Sequence, residues 1–388
     1  MSLLSEPKGE DIAISRDEEE GYRAEIEKRA DVESKRLMRY LAMPDLSRTE
    51  GSPIFEIVRR IRALSYFAGF DAIDIPEIVK TDVCFDLFDF APEHPARKPS
   101  DTYFVTSDHI LRPHVTVMWH YYFQQEVVKT RMANNEPFGV FCFGKVYRKD
   151  EIDRNHMNIF HQVDGLFLVP TSERTITQDD LKEALTEVAR GVFGSEVQYR
   201  FNSDNFPYTH SSLEMEVEVN GRWIEVLGGG IAQPSVLEKL GVDASKYTGW
   251  AFGFGLERLA IISMKLPDIR LLWSIDPRVQ SQLKLGTEFV EVSKYPPITR
   301  DISFVVGKDF EPNNYFDLIR DIVPEDMLEE VKMLDSYENA EKFGADRKSY
   351  TYRIVYRSNA RTLTNEEIDP LQQRVYDETA KQCKADLR

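Results

Sequence analysis

Cysteine is scarce: Cys84, Cys142 and Cys383 are far apart, odd in number and in no C-x-x-C pair. That excludes a disulfide framework and gives no support to a structural zinc site, leaving reduced, structural thiols. Long apolar runs are missing too. No stretch approaches the roughly 20 residues needed to cross a bilayer, so no membrane span is expected. Positive charge is in deficit, with 49 Lys and Arg against 66 Asp and Glu, a formal net charge of −17. A generic polyanion-binding surface needs clustered Lys and Arg, so any RNA must be met by local basic patches or guided by its end into a cleft. The first forty residues carry many acidic groups, among them the run Asp17-Glu18-Glu19-Glu20. Organellar presequences are Arg-rich and poor in acids, and secretory signals need an apolar stretch, so a cytoplasmic location is expected. Internal repeats, low-complexity tracts and any Ser/His/Asp or Cys/His arrangement of a protein nucleophile are likewise missing.

The chain has 388 residues, 42% of them hydrophobic and 30% charged. This is the composition of a globular protein of two or three domains. Four segments emerge: 1–50, 51–275, 276–293 and 294–388. The first is a charged helical extension, in which Ile26, Val32, Leu37 and Leu41 at helical spacing over about 14–41 predict one exposed, weakly amphipathic helix, a solvated cap. In the second, Ser52-Pro53 opens a helix that ends by Gly69. Short apolar runs at 70–75, 103–105, 139–143, 165–168, 213–217 and 223–227 predict strands. Asn220-Gly221 joins the last pair as a hairpin, and helices are expected over about 113–133, over 176–193 and after Gly249–Gly255. This is a mostly antiparallel sheet flanked by helices. The third segment lacks periodicity and reads as a linker. The fourth runs strand 301–306, helix 314–323, strand 331–337, strand 349–356 and helix 365–381, opened by Thr364 and Glu367 as a capping box. With a short edge strand that order is ferredoxin-like, and the fold class is α+β.

Two elements carry chemistry. Phe143-Gly144-Lys145-Val146-Tyr147-Arg148-Lys149-Asp150-Glu151 is a strand running into a charged loop that returns as Phe160-His161-Gln162-Val163-Asp164. An Arg where a strand breaks into such a loop can pair two phosphate oxygens through its planar fork; an Arg-Lys-Asp-Glu run also serves as a plain solvated tip. Gly249-Trp250-Ala251-Phe252-Gly253-Phe254-Gly255-Leu256-Glu257-Arg258 places alternate glycines before a helix, where backbone can approach a ligand and an Arg in the first turn can meet it. A dinucleotide loop of similar spacing would need an acidic strand-end partner and a βαβ context, which are missing.

The first element resembles motif 2 of the class II aminoacyl-tRNA synthetases, and Gly253 to Arg258 resembles motif 3. In detail the chain resembles the single-chain, mitochondrial-type phenylalanyl-tRNA synthetase family, through His94-Pro95-Ala96-Arg97, Leu111-Arg112-Pro113-His114, Phe206-Pro207-Tyr208-Thr209-His210, Trp223-Ile224-Glu225-Val226-Leu227-Gly228 and Arg361-Thr362-Leu363-Thr364. Residues 1–50 match nothing in it. The resemblance implies that 51–275 is a class II catalytic domain and 294–388 a ferredoxin-fold anticodon-binding domain. It implies ATP with Mg²⁺, tRNA and phenylalanine as the molecules bound. Arg148 resembles the arginine on the ATP α-phosphate and Arg258 the one on the γ-phosphate. Phe160 resembles the adenine-stacking ring, His156 the loop histidine near the phosphates and Asp150 an acid that helps hold adenine. Glu225 is a candidate Mg²⁺ ligand, a hard oxygen donor for that ion. For the amino acid, Gln162 and Asp164 match positions at the α-ammonium end, and His114 and Thr116 lie in the loop closing over the substrate. Phe206 and Tyr208 match the aromatic pair that meets the ring edge-on. Ala251 matches the pocket floor, where it leaves room for a phenyl ring and crowds a para substituent. The chain departs from the family pattern at Val115-Thr116, at Asp164 where Glu is common and at Tyr208 where Phe is common. All of these border one pocket, so the amino acid stays open. A monomer is expected from the mitochondrial type, with a homodimer through Pro76 as the alternative. Two rival readings remain: a paralogue activating another amino acid or serving an acceptor other than tRNA, and a non-catalytic RNA-binding regulator.

Overall fold

The computed structural model describes residues 3–4, 9–151, 153–219, 221–291, 295–358 and 360–388. Asn220 of the expected hairpin turn, residues 292–293 at the end of the expected linker and residue 294, the first of the fourth segment, lie outside the described residues.

An eight-stranded sheet forms the larger body. Its strands are β1 (Asp11–Ala13), β2 (Asp71–Asp74), β3 (Phe138–Tyr147), β4 (Ile159–Pro170), β5 (Tyr199–Ser203), β6 (Thr209–Val219), β7 (Arg222–Ala232) and β8 (Tyr247–Gly255). They lie in the order β1-β2-β3-β4-β8-β7-β6-β5. The pairs β1–β2 and β2–β3 are parallel and the rest antiparallel. β3 is buried along its whole length, as a central strand covered on both faces must be.

One face is covered by helices α3 (Pro53–Arg62), α4 (Gln178–Phe193) and α5 (Leu256–Met264). Ile54, Ile57 and Ile61 of α3 and Leu181, Leu185 and Val188 of α4 join Trp250 and Phe252 of β8 in one core there. Ala251, one residue out of step with those rings, belongs to the core on the opposite face, with Val115, Trp119 and Leu166. The period-two alternation of β8 thus gives one face to packing and leaves small residues on the other. The helix expected over 113–133 is broken into a 3₁₀ turn (Val115–Val117) and helices Met118–Phe123 and Glu126–Ala133, because Gln125 turns extended at ψ 136. The expected strand at 103–105 is only a single bridge from Phe104 to Ile110.

The N-terminal segment differs from the expected solvated helix. It is two helices, α1 (Asp17–Lys28) and α2 (Val32–Ala42), divided where the Asp31 side chain caps the Ser34 N–H at 2.8 Å. Ile26, Leu37, Tyr40 and Leu41 are buried against Tyr103, Tyr147 and Ile159, and only Val32 of the expected apolar stripe is exposed. The expected linker is not free chain either: Val279, Leu283 and Phe289 are buried in the core of the larger body.

The smaller body contains β9 (Ile298–Gly307), α6 (Pro312–Ile322), β10 (Leu328–Tyr337), β11 (Arg347–Tyr356), α7 (Asn365–Gln382) and β12 (Asp386–Leu387), with an antiparallel sheet in the order β10-β11-β9-β12. That is the ferredoxin-like order, and the capping box of Thr364 and Glu367 is formed. Phe304, Tyr315, Ile319, Tyr352 and Val375 give it a core of its own. Among the described residues no helix is long and apolar enough to cross a membrane.

Candidate active site

The floor of the site is set by register. β8 pairs with β4 so that Gly253 faces Asp164 and Gly255 faces Gln162. Phe160, Gln162 and Asp164 alternate onto one side of β4, and the residues opposite are small enough to leave them room. A Cβ on Gly253 would stand 2.5 Å from Asp164 Oδ1, so glycine is required for the close approach. Above this floor opens a cleft of about 690 Å³, and every site residue assigned from the sequence lines it: Arg148, Asp150, His156, Phe160, Arg258, Glu225, His114, Thr116, Gln162, Asp164, Phe206, Tyr208 and Ala251.

Arg148 stands just past the end of β3, where its backbone N–H donates to Asn158 O at 3.0 Å and closes the loop between them. Its Nε donates to Pro113 O at 2.8 Å, and its guanidinium lies 5.2 Å from the centre of the Phe160 ring. One nitrogen is thereby committed to aiming the fork while the rest of the group faces the cleft. Arg258 comes from the first turn of α5, donates through Nη1 to Glu225 O at 3.1 Å and lies 3.7 Å from Glu225 Oε2. Burial holds the Glu225 carboxyl above its ordinary value, with Glu214, Asp204 and Glu216 adding repulsion and Arg258 opposing. In the loop, Asp153 accepts from both the backbone N–H and the Nδ1 of His156, at 2.8 and 2.9 Å, and raises the imidazole's pKa, with Asp150 adding to the shift and Arg258 opposing it.

At the other end, Asp164 is buried and accepts from Thr116 Oγ1 at 2.5 Å. Burial pushes its carboxyl up to about 7, against the Thr116 bond and the charge of Arg148. Val115 N donates to Gln162 Oε1 at 3.3 Å, tying the 113–116 segment to β4 a second time. His114 is buried, with Nε2 3.4 Å from Cys84 Sγ, and burial together with Arg148 pushes it down to about 3. It is therefore a neutral imidazole, and the buried Cys84 thiol, raised by the same burial, is no nucleophile. Phe206 and Tyr208 stack with centroids 6.0 Å apart beside a buried Ala251.

Several lining residues carried no role in the sequence reading. Phe90 stacks on His114 at 5.7 Å; nothing in its sequence surroundings marks it. Glu257 is buried at the start of α5, where it accepts from the backbone N–H of His161 at 2.9 Å and from its Nδ1 at 2.6 Å. Because His161 Nε2 accepts from Leu46 N at 2.9 Å, the proton sits on Nδ1 and Glu257 is the acceptor. Its adjacency to Arg258 was the available signal. Asn313 arrives from the smaller body, which also meets the loop through Lys149 Nζ to Asn314 Oδ1 at 3.0 Å and Arg154 to Glu329 at 2.7 Å.

A mostly antiparallel sheet with a strand-end arginine and a helix-start arginine on one cleft is the arrangement of a class II synthetase core. The family model for the tRNA synthetases class II core domain (F) matches residues 40–283, and the chain belongs to that family. The model for the ferredoxin-fold anticodon binding domain matches residues 293–388. Among its relatives are phenylalanine–tRNA ligases. The chloroplastic/mitochondrial one of Arabidopsis thaliana is 37% identical over 81% of this chain and 72% of its own length. The mitochondrial enzymes of Mus musculus (32%, over 78% and 71%) and Saccharomyces cerevisiae (30%, over 80% and 81%) are similar at comparable coverage.

Proposed function

We propose that the chain is a phenylalanine–tRNA ligase, activating phenylalanine with ATP and passing it to the tRNA 3′ end. The observation that carries this reading is the convergence of Arg148, Arg258, Phe160 and the aromatic pair Phe206 and Tyr208 on one nucleotide-sized cleft.

Adenine lies against Phe160, the α-phosphate meets Arg148 and the γ-phosphate meets Arg258. Asp150 holds the adenine edge and His156 lies near the phosphates. The phenyl ring sits between Phe206, Tyr208 and Ala251, and its ammonium group faces Gln162 and Asp164, with His114 and Thr116 closing over it. A carboxylate oxygen of the amino acid attacks the α-phosphorus and pyrophosphate leaves. A ribose hydroxyl of the tRNA then attacks the carbonyl of the mixed anhydride and AMP leaves. No protein nucleophile takes part, and the work is alignment and fixed positive charge at phosphorus.

Among the described residues no group of three or more His, Cys, Asp or Glu forms a metal cage. Mg²⁺ takes one or two carboxylates and completes its shell with phosphate and water, and Glu225, which lines the cleft beside Arg258, would hold it. An ion bound there would neutralise phosphate charge. Pro76 is buried inside the chain and its carbonyl is held by Arg112 Nη1 at 3.2 Å, which supports a monomer over a dimer built on that residue. The cytoplasmic location expected from the acidic start stands against relatives whose names place them in mitochondria or chloroplasts.

Pyrophosphate exchange across the twenty amino acids, paired with tRNA charging, tests the reading. Phenylalanine is expected to support both, and Arg258→Ala to lower exchange by about 100-fold or more, the usual scale for a fixed charge at a transition state. Exchange with another amino acid, or with no transfer to tRNA, would favour the paralogue.

A further inference from the structure

Arg112 sits in a stretch quoted for its family likeness but given no role, and it is one of the largest fully buried side chains, 1% exposed. A guanidinium keeps its charge in any protein environment, so burial obliges it to find strong acceptors. It finds backbone only. Nε donates to Lys145 O at 2.8 Å, and Nη1 to Ile75 O at 2.7 Å and Pro76 O at 3.2 Å; among the described residues it forms no ion pair. Room for the third nitrogen is kept by Gly144, at φ +153, where a Cβ would stand 2.5 Å from Arg112 Nη2.

These bonds join three pieces of chain, one of which carries Arg148 and another the carbonyl that aims it. Lys145 is three residues before Arg148 on the same run of chain. The backbone of Arg112 is fixed at both ends, its N–H to Glu77 O at 2.9 Å and its carbonyl to Tyr147 N at 3.0 Å. The next carbonyl, that of Pro113, is the one that accepts from Arg148 Nε. The fork of Arg112 therefore fixes the distance between the strand that carries Arg148 and the carbonyl that aims it.

We infer that Arg112 is a positioning residue for the activation step, acting on Arg148 through the Pro113 carbonyl. This rests on the reading of Arg148 given under Proposed function. A lysine keeps the charge but is a point donor on a flexible stem and cannot bridge Lys145 and the Ile75–Pro76 turn as a fork does. The expected consequence is an Arg148 guanidinium shifted by a fraction of a bond length or more, in a reaction where small misplacement is costly.

The test is a double-variant cycle on pyrophosphate exchange with the full-length chain, using Arg112→Lys, Arg148→Ala and the pair, with melting temperatures alongside. Arg112→Lys alone is expected to lose about 100-fold in exchange turnover, the scale of a misplacement near 1 Å. In the Arg148→Ala background the same change is expected to cost almost nothing further, because the group it serves is gone. An equal loss in both backgrounds, or no loss in the first, overturns the inference, since a merely structural arginine would act independently of Arg148. If Arg112→Lys does not fold, Gly144→Ala displaces the guanidinium without removing it and completes the same cycle. If Arg148→Ala alone exchanges at the wild-type rate, it is the phosphate role of Arg148 that fails, an outcome distinct from additivity.

Discussion

Asp164 is the residue whose environment makes the sharpest demand. Its carboxyl is buried and held at about 7, above its ordinary 3.8, so the folded protein resists its ionisation. The stability it contributes is present below about pH 4 and is lost as pH rises toward 7, because the unfolded chain ionises first. Asp164→Asn is therefore expected to raise the melting temperature relative to the native chain at pH 8 far more than at pH 4.5, and equal shifts at the two values would contradict the burial argument. In the reading proposed above, the same carboxyl faces the substrate ammonium and must be ionised to pair with it. The KM for phenylalanine in exchange is expected to rise as pH falls below about 7, by at most tenfold per unit, and to lose that dependence in Asp164→Asn. Gly253→Ala places a methyl 2.5 Å from Asp164 Oδ1 and should raise the same KM while leaving that for ATP close to normal. Loss of ATP binding in that variant would move Asp164 out of the amino-acid site. Asp164 was legible only through the resemblance to the family, which marks its position. Phe90 was not, since an aromatic in a loop carries no periodic signal and its place follows only from how 84–102 folds back on His114.

At the scale of elements, the central strands were legible, but the expected strand at 103–105 is a single bridge, β1 and β5 were not foreseen, and neither were the breaks in the helices. Alternation in β4 and β8 shows which side faces the core, and the continuous apolar run 139–143 grew by only a few residues into β3. The helix pattern over 14–41 hides its interruption because apolar spacing continues across it. The only local mark is Asp31, a capping residue set between two charged stretches. Docking of α5 onto β4 was equally hidden, since it depends on a contact between residues 96 apart in sequence. Glu257 holds both donors of His161 there, one position from Arg258. Glu257→Ala leaves a buried N–H of His161 without its acceptor, a cost of about 1–3 kcal/mol. It is also expected to reduce exchange turnover, by loosening the helix start that aims Arg258. Urea unfolding and exchange kinetics on one preparation read both effects, and normal turnover in a clearly destabilised variant would separate Glu257 from the site.

Across the whole molecule, the two bodies each have a core, and what joins them is polar. Asp317 of α6 is fully buried, and its Oδ1 accepts from Tyr103 OH at 2.7 Å, Tyr40 OH at 3.2 Å and Arg320 Nη1 at 3.2 Å. Arg36 of α2 adds an ion pair to Asp321 at 2.7 Å, so the segment expected to be a solvated cap grips the smaller body instead. Composition could not reveal this, because a charged helix reads the same whether its charges face water or a partner surface. Asp317 is the shared acceptor at the buried centre of this contact, so removing it should loosen the coupling of the bodies without unfolding either, even though the Arg36–Asp321, Lys149–Asn314 and Arg154–Glu329 contacts remain. Asp317→Ala leaves the Arg320 charge buried without its carboxylate, a change of about 3–5 kcal/mol. Because Phe304, Tyr315, Ile319 and Tyr352 form a core separate from that of the large sheet, the loss should fall on the contact and not on the ferredoxin-like body itself. Calorimetry is therefore expected to resolve one transition in the native chain into two in Asp317→Ala, the second close to the native temperature. A single transition shifted down as a whole would mean that the smaller body cannot stand without α2.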